Sequence, residues 1–278
     1  MRLVTYERPE GGPERLGVLN DAGEVVDLGP GSMQGLIADW PERADEVAAA
    51  AATRSGLPLG AVRLLAPVRP RNNIMCVGKN YAAHAQEFAG SGFDASQQQA
   101  VPDAPVIFTK ALSSLVGPDD AVRVSADGTG TSDYEGELAV VLGPDQEVFG
   151  YTIVNDLTVR ELQRRHVQFF IGKSAATYCP MGPVLVTADE VPDVRELWVR
   201  TTVNGEPRQA APVADLIFDV ATLVATIGAH VRLEAGDVIA TGTPAGVGIG
   251  FDPPKYLCPG DVVEVSVDGI GTLRNTCV

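Results

Sequence analysis

The chain has 278 residues, 45% of them hydrophobic, and a formal net charge of −15. That length and apolar share suffice for one large core, with or without a small second domain. The acidic balance argues against nucleic acid and anionic membranes as partners, and it means that an anionic substrate needs local cations to approach. No apolar run reaches the roughly 18–20 residues of a membrane span, and the opening MRLVTYERPEGG lacks a signal-peptide core. Cys76, Cys179, Cys258 and Cys277 are scattered with no CxxC pair. They read as reduced thiols, so a cytoplasmic protein is expected.

Residues 1–66 read as a small N-terminal unit. Short strands are predicted at Arg2–Tyr6, Arg15–Leu19 and Glu24–Leu28, the last two joined by the turn-forming Asn20-Asp21-Ala22-Gly23. A helical stretch follows Pro30-Gly31-Ser32 to about Trp40, and the Ala-rich run from Glu42 to Arg54 is a second helix whose alanines suit a small packing partner. Pro67-Val68-Arg69-Pro70 is a stiff linker, since each proline holds its predecessor extended. A larger unit, 70–278, opens with a strand at Asn73–Val77 and a helix at Tyr81–Phe88 that puts His84 and Glu87 on one face. The polar segment GSGFDASQQQAVPDAP reads as a mobile loop of the kind that serves as a lid. Further strands are predicted at Val106–Thr109, Ala121–Ser125, Val184–Thr187 and Trp198–Val203, with a hairpin turn at Asn204-Gly205. Helices are predicted at Val159–Phe169 and Asp219–Gly228, with the stretch IGKSAATYCPMGP after the first read as a loop. Leu233–Ile239 and Leu257–Val263 echo one another as turn-then-strand. Many short strands and few helices point to a mainly β domain closed into a roll.

The centre of the chain is Ser132–Arg160. SDYEGELAVVLG reads as a strand on which Glu135 and Glu137, two apart, share a face normally given to Val or Leu. A second apolar run, Val148–Val154, delivers Asp156. Three carboxylates meeting in a low-dielectric pocket would repel, and a hard divalent cation removes that difficulty. An all-oxygen set favours Mg²⁺, Mn²⁺ or Ca²⁺ over zinc. The alternative is a solvated strand face with Asp156 capping a helix that begins near Leu157.

These stretches resemble the fumarylacetoacetate hydrolase superfamily over nearly the whole chain, in its bacterial, acylpyruvase-like branch. The resemblance is carried by GKNYAAHAQE (78–87), KALSSLVGP (110–118), DYEGEL (133–138) and GYTIVNDLTVRELQ (150–163). It continues through GKS (172–174), GDVIATGTPAGVG (236–248) and GDVVEVSVDGIGTLRN (260–275). It implies an α+β, mainly β protein, with a mixed β-roll catalytic domain, a small N-terminal αβ domain and a homodimer. It places Glu135, Glu137 and Asp156 at metal-ligand positions, with Mg²⁺ expected, Mn²⁺ as the substitute and Ca²⁺ as a crystal replacement. His84 and Glu87 match a general base and its orienting carboxylate on a lid over 81–103, against the plainer reading of a packing histidine. Lys173 matches a lysine that contacts an anionic substrate oxygen, where a surface lysine is the plainer reading. GKS is no P-loop, because Val167 stands where that motif needs glycine. Tyr81, Arg160, Gln163 and Thr243 match substrate-facing positions, although a tight turn explains the loop around Thr243 equally well. His166 and His230 match no functional motif. One departure from the family is Ala175-Ala176 after GKS, where relatives often carry an aromatic or Leu followed by Asp.

The resemblance implies an enzyme acting on a small 2-oxo or 2,4-dioxo acid. The expected reaction is hydrolysis of a C–C bond in an acylpyruvate-type or sugar-derived diketo acid through a metal-stabilised enolate. The alternatives are an oxaloacetate-type decarboxylase or an isomerase of a hydroxy-dienoate or oxo-dioate. A protein that binds metal without catalysis is disfavoured by the joint presence of the acids, His84, Glu87 and Lys173.

Overall fold

The computed structural model describes residues 1–91 and 101–278. The loop and lid expected around 81–105 thus fall partly outside the described residues. The fold is α+β and mainly β, as expected from the abundance of short strands. At the N-terminus lie β1 (Arg2–Glu7), β2 (Arg15–Leu19), β3 (Val25–Pro30), α1 (Met33–Ala38) and α2 (Trp40–Thr53). Next come β4 (Ile74–Gly78), α3 (Ala82–Gly90) and β5 (Val106–Lys110). The central elements are β6 (Gly136–Leu142), β7 (Val148–Asn155), α4 (Arg160–His166), α5 (Phe170–Lys173) and β8 (Cys179–Thr187). The C-terminal part holds β9 (Trp198–Val203), β10 (Glu206–Pro212), α6 (Val220–Gly228), β11 (Val238–Ala240), β12 (Val262–Val267) and β13 (Gly271–Cys277).

Among the described residues the main sheet runs β3-β2-β1-β8-β7-β6-β11-β4-β5. The N-terminal strands are therefore continuous with the rest, through β1 paired to β8 at Arg2↔Val186 and Leu3↔Leu185. A second sheet, β10-β9-β12-β13, ends on the short strand Ala121–Val122. Strand β6 is the hinge of this architecture because its β-branched residues are buried on both faces. Leu138, Val140 and Leu142 share a core with Val199, Val265 and Leu273 of the second sheet. Ala139 and Val141 face the other way, into the core formed with Leu36, Ile37 and Val47 of α1 and α2. Each such aliphatic side chain contributes roughly 1.5–3 kcal/mol when fully buried. That apolar frame offsets the cost of holding several charged groups beneath it.

Several local readings change. The strand expected from Ser132 is interrupted: Ser132–Asp133 pairs with Thr158–Val159, and β6 starts only at Gly136. The chain presses against the second sheet there, since a Cβ on Gly136 would lie 2.3 Å from Thr201 Oγ1. Residues 121–125 give a two-residue strand followed by a 3₁₀ turn. Of the alanines of α2 only Ala50 is buried, beside Val47, and Ala48, Ala49 and Ala52 are exposed. Part of IGKSAATYCPMGP is structured, its start in α5 and its end in β8. The echo is real at the level of turns: Asp237 accepts from Glu234 N–H at 2.9 Å, and Asp261 accepts from Cys258 N–H at 2.8 Å.

The helix expected over 159–169 is split by Val167, whose φ of 59° and ψ of −51° form a γ-turn closed by Gln168 N–H on His166 O. A β-branched residue is strained in that conformation, and Val167 is 53% exposed, so little packing holds it there. Val167→Gly is expected to stabilise the fold by about 1 kcal/mol, which thermal denaturation would register as a rise of roughly 2–4 °C.

Candidate active site

Strand β6 pairs with β7 so that Glu137 faces Val154, and Asp156 follows on the same face. Asp156 N–H donates to Glu135 O at 2.7 Å, which extends the ladder past the strand end and brings Glu135 alongside. Carboxylate oxygens of Glu135, Glu137 and Asp156 lie within 4.8 Å of one another, and all three residues are buried. The expected convergence therefore holds although Glu135 is not itself in a strand.

Cationic side chains surround the cluster. Lys173 Nζ lies 2.5 Å from Glu135 Oε2 and 2.7 Å from Asp156 Oδ2. Lys110 Nζ lies 2.6 Å from Asp156 Oδ1 and also donates to Leu157 O at 2.9 Å. Arg160 Nε donates to Asp133 Oδ2 at 2.8 Å, and its Nη2 is in ionic contact with Glu135 Oε1 at 2.7 Å. Burial acts against the charge on Glu135, but Lys173 and Arg160 overcome it and hold the carboxyl at about 2. The same two acids, Asp156 and Glu135, keep Lys173 protonated against the opposing effect of burial. Glu137 is different. Burial, then the charges of Asp156 and Glu135, push its carboxyl well above the ordinary range, against the charge of Lys173 and a hydrogen bond from Gly242 N–H at 2.8 Å.

This donor set fits a hard divalent cation: three buried carboxylates close enough to share one ion, one of them short of positive charge. Glu135, Glu137 and Asp156 are the residues that could hold it. Beside them is a cavity of about 20 Å³, space for roughly one water, lined by His84, Phe88, Phe108, Gln163, Phe169 and Lys173 among others. His84 Nδ1 is 3.4 Å from Glu87 Oε2, and the Glu87 carboxylate accepts from Gly246 N–H at 3.0 and 3.2 Å.

Not every expected residue meets this cavity. Gln163 does, with Oε1 accepting from Arg160 Nη1 at 3.2 Å. Tyr81 borders a separate concavity with Ala82, Ala210, Asp215 and Pro244, and its buried hydroxyl has no hydrogen-bond partner among the described residues. The Thr243 hydroxyl donates to Gly136 O at 3.0 Å and accepts from Gln209 Nε2 at 2.7 Å, a bridge between loop and strand. Two residues that sequence reasoning passed over belong to the cluster. Lys110 opens KALSSLVGP and Asp133 opens DYEGEL, so each stood within a recognised motif without a role assigned to it. Asp133 is fully buried and also accepts from Gly248 and Ile249 N–H at 2.7 and 3.0 Å.

Residues 73–278 match the sequence model of the family described as "Fumarylacetoacetate (FAA) hydrolase C-terminal". Oxaloacetate tautomerase YisK of Bacillus subtilis is 49% identical over 228 residues, covering 78% of this chain and 73% of its own. The structure of a fumarylacetoacetate hydrolase from the psychrophile Exiguobacterium antarcticum is similar over 100% of this chain and 99% of that one, with 42% identity and a TM-score of 0.80. Maleylpyruvate hydrolase from Sphingobium sp. SYK-6, solved with manganese(II) and pyruvate, covers the same shares at 29% identity and a TM-score of 0.80. These relatives are named as enzymes. No helix among the described residues is long and apolar enough to cross a membrane.

Proposed function

The chain belongs to the fumarylacetoacetate hydrolase family, and from that premise we propose that it interconverts the keto and enol forms of a short 2-oxo dicarboxylic acid of the oxaloacetate type, with a divalent cation at Glu135, Glu137 and Asp156. The observation that carries this reading is the placement of buried His84, backed by Glu87, and of Lys173 on one cavity beside the acidic cluster. Proton transfer between carbon and oxygen needs a base, a donor to oxygen and little space. Phe88, Phe108 and Phe169 wall the cavity, and enolisation, unlike hydrolysis, needs no activated water beside the substrate. The 49% identical tautomerase supports the same order of preference, so isomerisation moves ahead of the hydrolysis expected from sequence.

Bound at the cluster, a hard cation supplies Lewis-acid stabilisation for negative charge on a 2-oxo acid oxygen. His84 takes the proton from the carbon next to the carbonyl, and Glu87 orients the ring. Two of the three Lys173 ammonium protons are engaged by Glu135 and Asp156, leaving one for the substrate oxygen as charge develops there. Arg160 and Gln163 shape the polar wall, while Tyr81 and Thr243 act through the elements that close over it. Mg²⁺ is the proposed physiological ion and Mn²⁺ its substitute.

A second reading, C–C hydrolysis of an acylpyruvate, is favoured by the structural neighbour that holds manganese and pyruvate, and by a cavity with room for one water. Purified protein with Mg²⁺ is expected to accelerate decay of the enol absorbance of oxaloacetate without releasing CO₂. His84→Ala is expected to lower that rate by roughly 10²–10⁴, the usual contribution of a positioned base. Pyruvate release from acylpyruvates with no effect on enol decay would transfer the assignment to the hydrolase, and CO₂ as the main product to a decarboxylase.

A further inference from the structure

One loop touches both halves of this machinery. Gly246 N–H donates to the Glu87 carboxylate at 3.0 and 3.2 Å, and Glu87 faces His84 Nδ1 at 3.4 Å. The same residue's carbonyl accepts from the Tyr134 hydroxyl at 2.9 Å, so Gly246 is held on both sides, its N–H by Glu87 and its C=O by Tyr134. Glycine is required there: φ is +102°, and a Cβ would lie 2.0 Å from Arg208 O. Two and three residues on, the Gly248 and Ile249 N–H groups donate to Asp133, which holds Arg160, which contacts Glu135. The backbone N–H groups of Gly246, Gly248 and Ile249, on one short loop, thus link the His84–Glu87 pair to the acidic cluster.

The loop ends at Gly250 in a 3₁₀ turn, Gly248–Gly250. Gly250 is exposed, yet a Cβ on it would lie 2.1 Å from Glu87 Oε1 and 2.3 Å from Glu87 Cδ. The three atoms nearest to that Cβ all belong to Glu87. Its φ is outside the left-handed range, so alanine fits the backbone, and its methyl group displaces the movable end of Glu87 before anything else. We propose that Gly250 and Gly246 are positioning residues: the 246–250 loop seats the Glu87 carboxylate so that His84 is held against the cavity, and ties that placement to the acidic cluster through Asp133. The inference rests on the reading of His84 as the proton-transfer residue.

The test compares Glu87→Gln, Gly250→Ala and the double variant with the parent protein, all loaded with Mg²⁺. Gly250→Ala is expected to lose kcat for keto–enol exchange by roughly 10–100-fold, the cost of a displacement of about 1 Å at a reacting group, with KM nearly unchanged. The double variant is expected to be no slower than Glu87→Gln, since both changes act on one carboxylate. Imidazole ¹⁵N spectra at a single pH provide a readout independent of substrate, because the chain has three histidines. The His84 resonance is expected to move in Gly250→Ala toward its position in Glu87→Gln, with His166 and His230 unmoved. If the tautomerase reading fails, no parent rate is seen, but the His84 resonance still decides the positioning claim. Parent-like rate and spectrum in Gly250→Ala, or losses that multiply in the double variant, would overturn it. Should Gly250→Ala fail to fold, Tyr134→Phe removes the hydroxyl that anchors Gly246. A smaller shift of the His84 resonance in the same direction sustains the claim, and an unmoved resonance rejects it.

Discussion

Glu137→Gln is expected to abolish cation-dependent activity, and to weaken cation binding by more than the roughly 10–100-fold that loss of an outer-sphere partner costs. The same change should leave the cation-free protein at least as stable as its parent at about pH 8. The sign follows from the two glutamates. Glu137 is pushed up by burial and by Asp156 and Glu135, so the folded state keeps a proton that the unfolded chain has lost. Stability of the cation-free protein therefore falls as pH rises above the ordinary glutamate value of about 4.3 toward Glu137's raised one. Glu135 contributes in the opposite sense. Held at about 2 by Lys173 and Arg160 against burial, it stabilises fully above the ordinary value, and that contribution is lost as pH falls from about 4.3 to about 2. A bound divalent cation relieves Glu137, so the rise in Tm caused by Mg²⁺ or Mn²⁺ should be larger at about pH 8 than at about pH 5. Calorimetry at the two pH values, with and without cation, checks this. An equal cation effect at both, or an unchanged cation response in Glu137→Gln, would remove Glu137 from the ligand set.

Lys173→Met should damage the protein in two separable ways. In the cation-free state it strips Glu135 and Asp156 of a partner at 2.5 and 2.7 Å. Breaking one side of a buried ion pair costs about 3–5 kcal/mol, because the remaining charge stays desolvated. Added cation should restore most of that stability, since the cluster has become more negative and binds it more tightly. Catalysis should not return with it. The ammonium that steadies charge on the substrate oxygen is gone, and loss of one such donor costs roughly 10²–10³ in rate. Urea denaturation with and without Mn²⁺, set beside the enol-decay rate, separates the two effects. Recovery of rate along with stability would reduce Lys173 to a structural counter-ion.

The acidic cluster was legible because two carboxylates interrupt an apolar strand at a spacing of two and a third ends the next strand. Period and burial preference alone make that unusual. Lys110 was not, since it simply follows the strand predicted at Val106–Thr109, and its partner Asp156 is 46 residues away. The break at Val167 was hidden for another reason: nothing in RELQRRHVQFF signals a β-branched residue in a γ-turn.

Short-range pattern was enough for the mainly β class, the hairpin at Asn204-Gly205, the helix from Asp219 and the pairing of Glu135 with Glu137, because each depends on neighbours a few residues apart. Asp156, at the end of the next strand, joined them as an expected ligand through the family resemblance. Tertiary structure decided the rest. It paired β1 with β8 across the expected domain boundary, turned the Thr243 hydroxyl onto Gly136 and Gln209, and set residues 246–250 between Glu87 and Asp133. Those outcomes hang on backbone N–H and C=O groups, which every residue carries alike, and on contacts between segments far apart in the chain. Side-chain order does not encode them; they exist only once the two sheets have packed and the buried charges have found their partners.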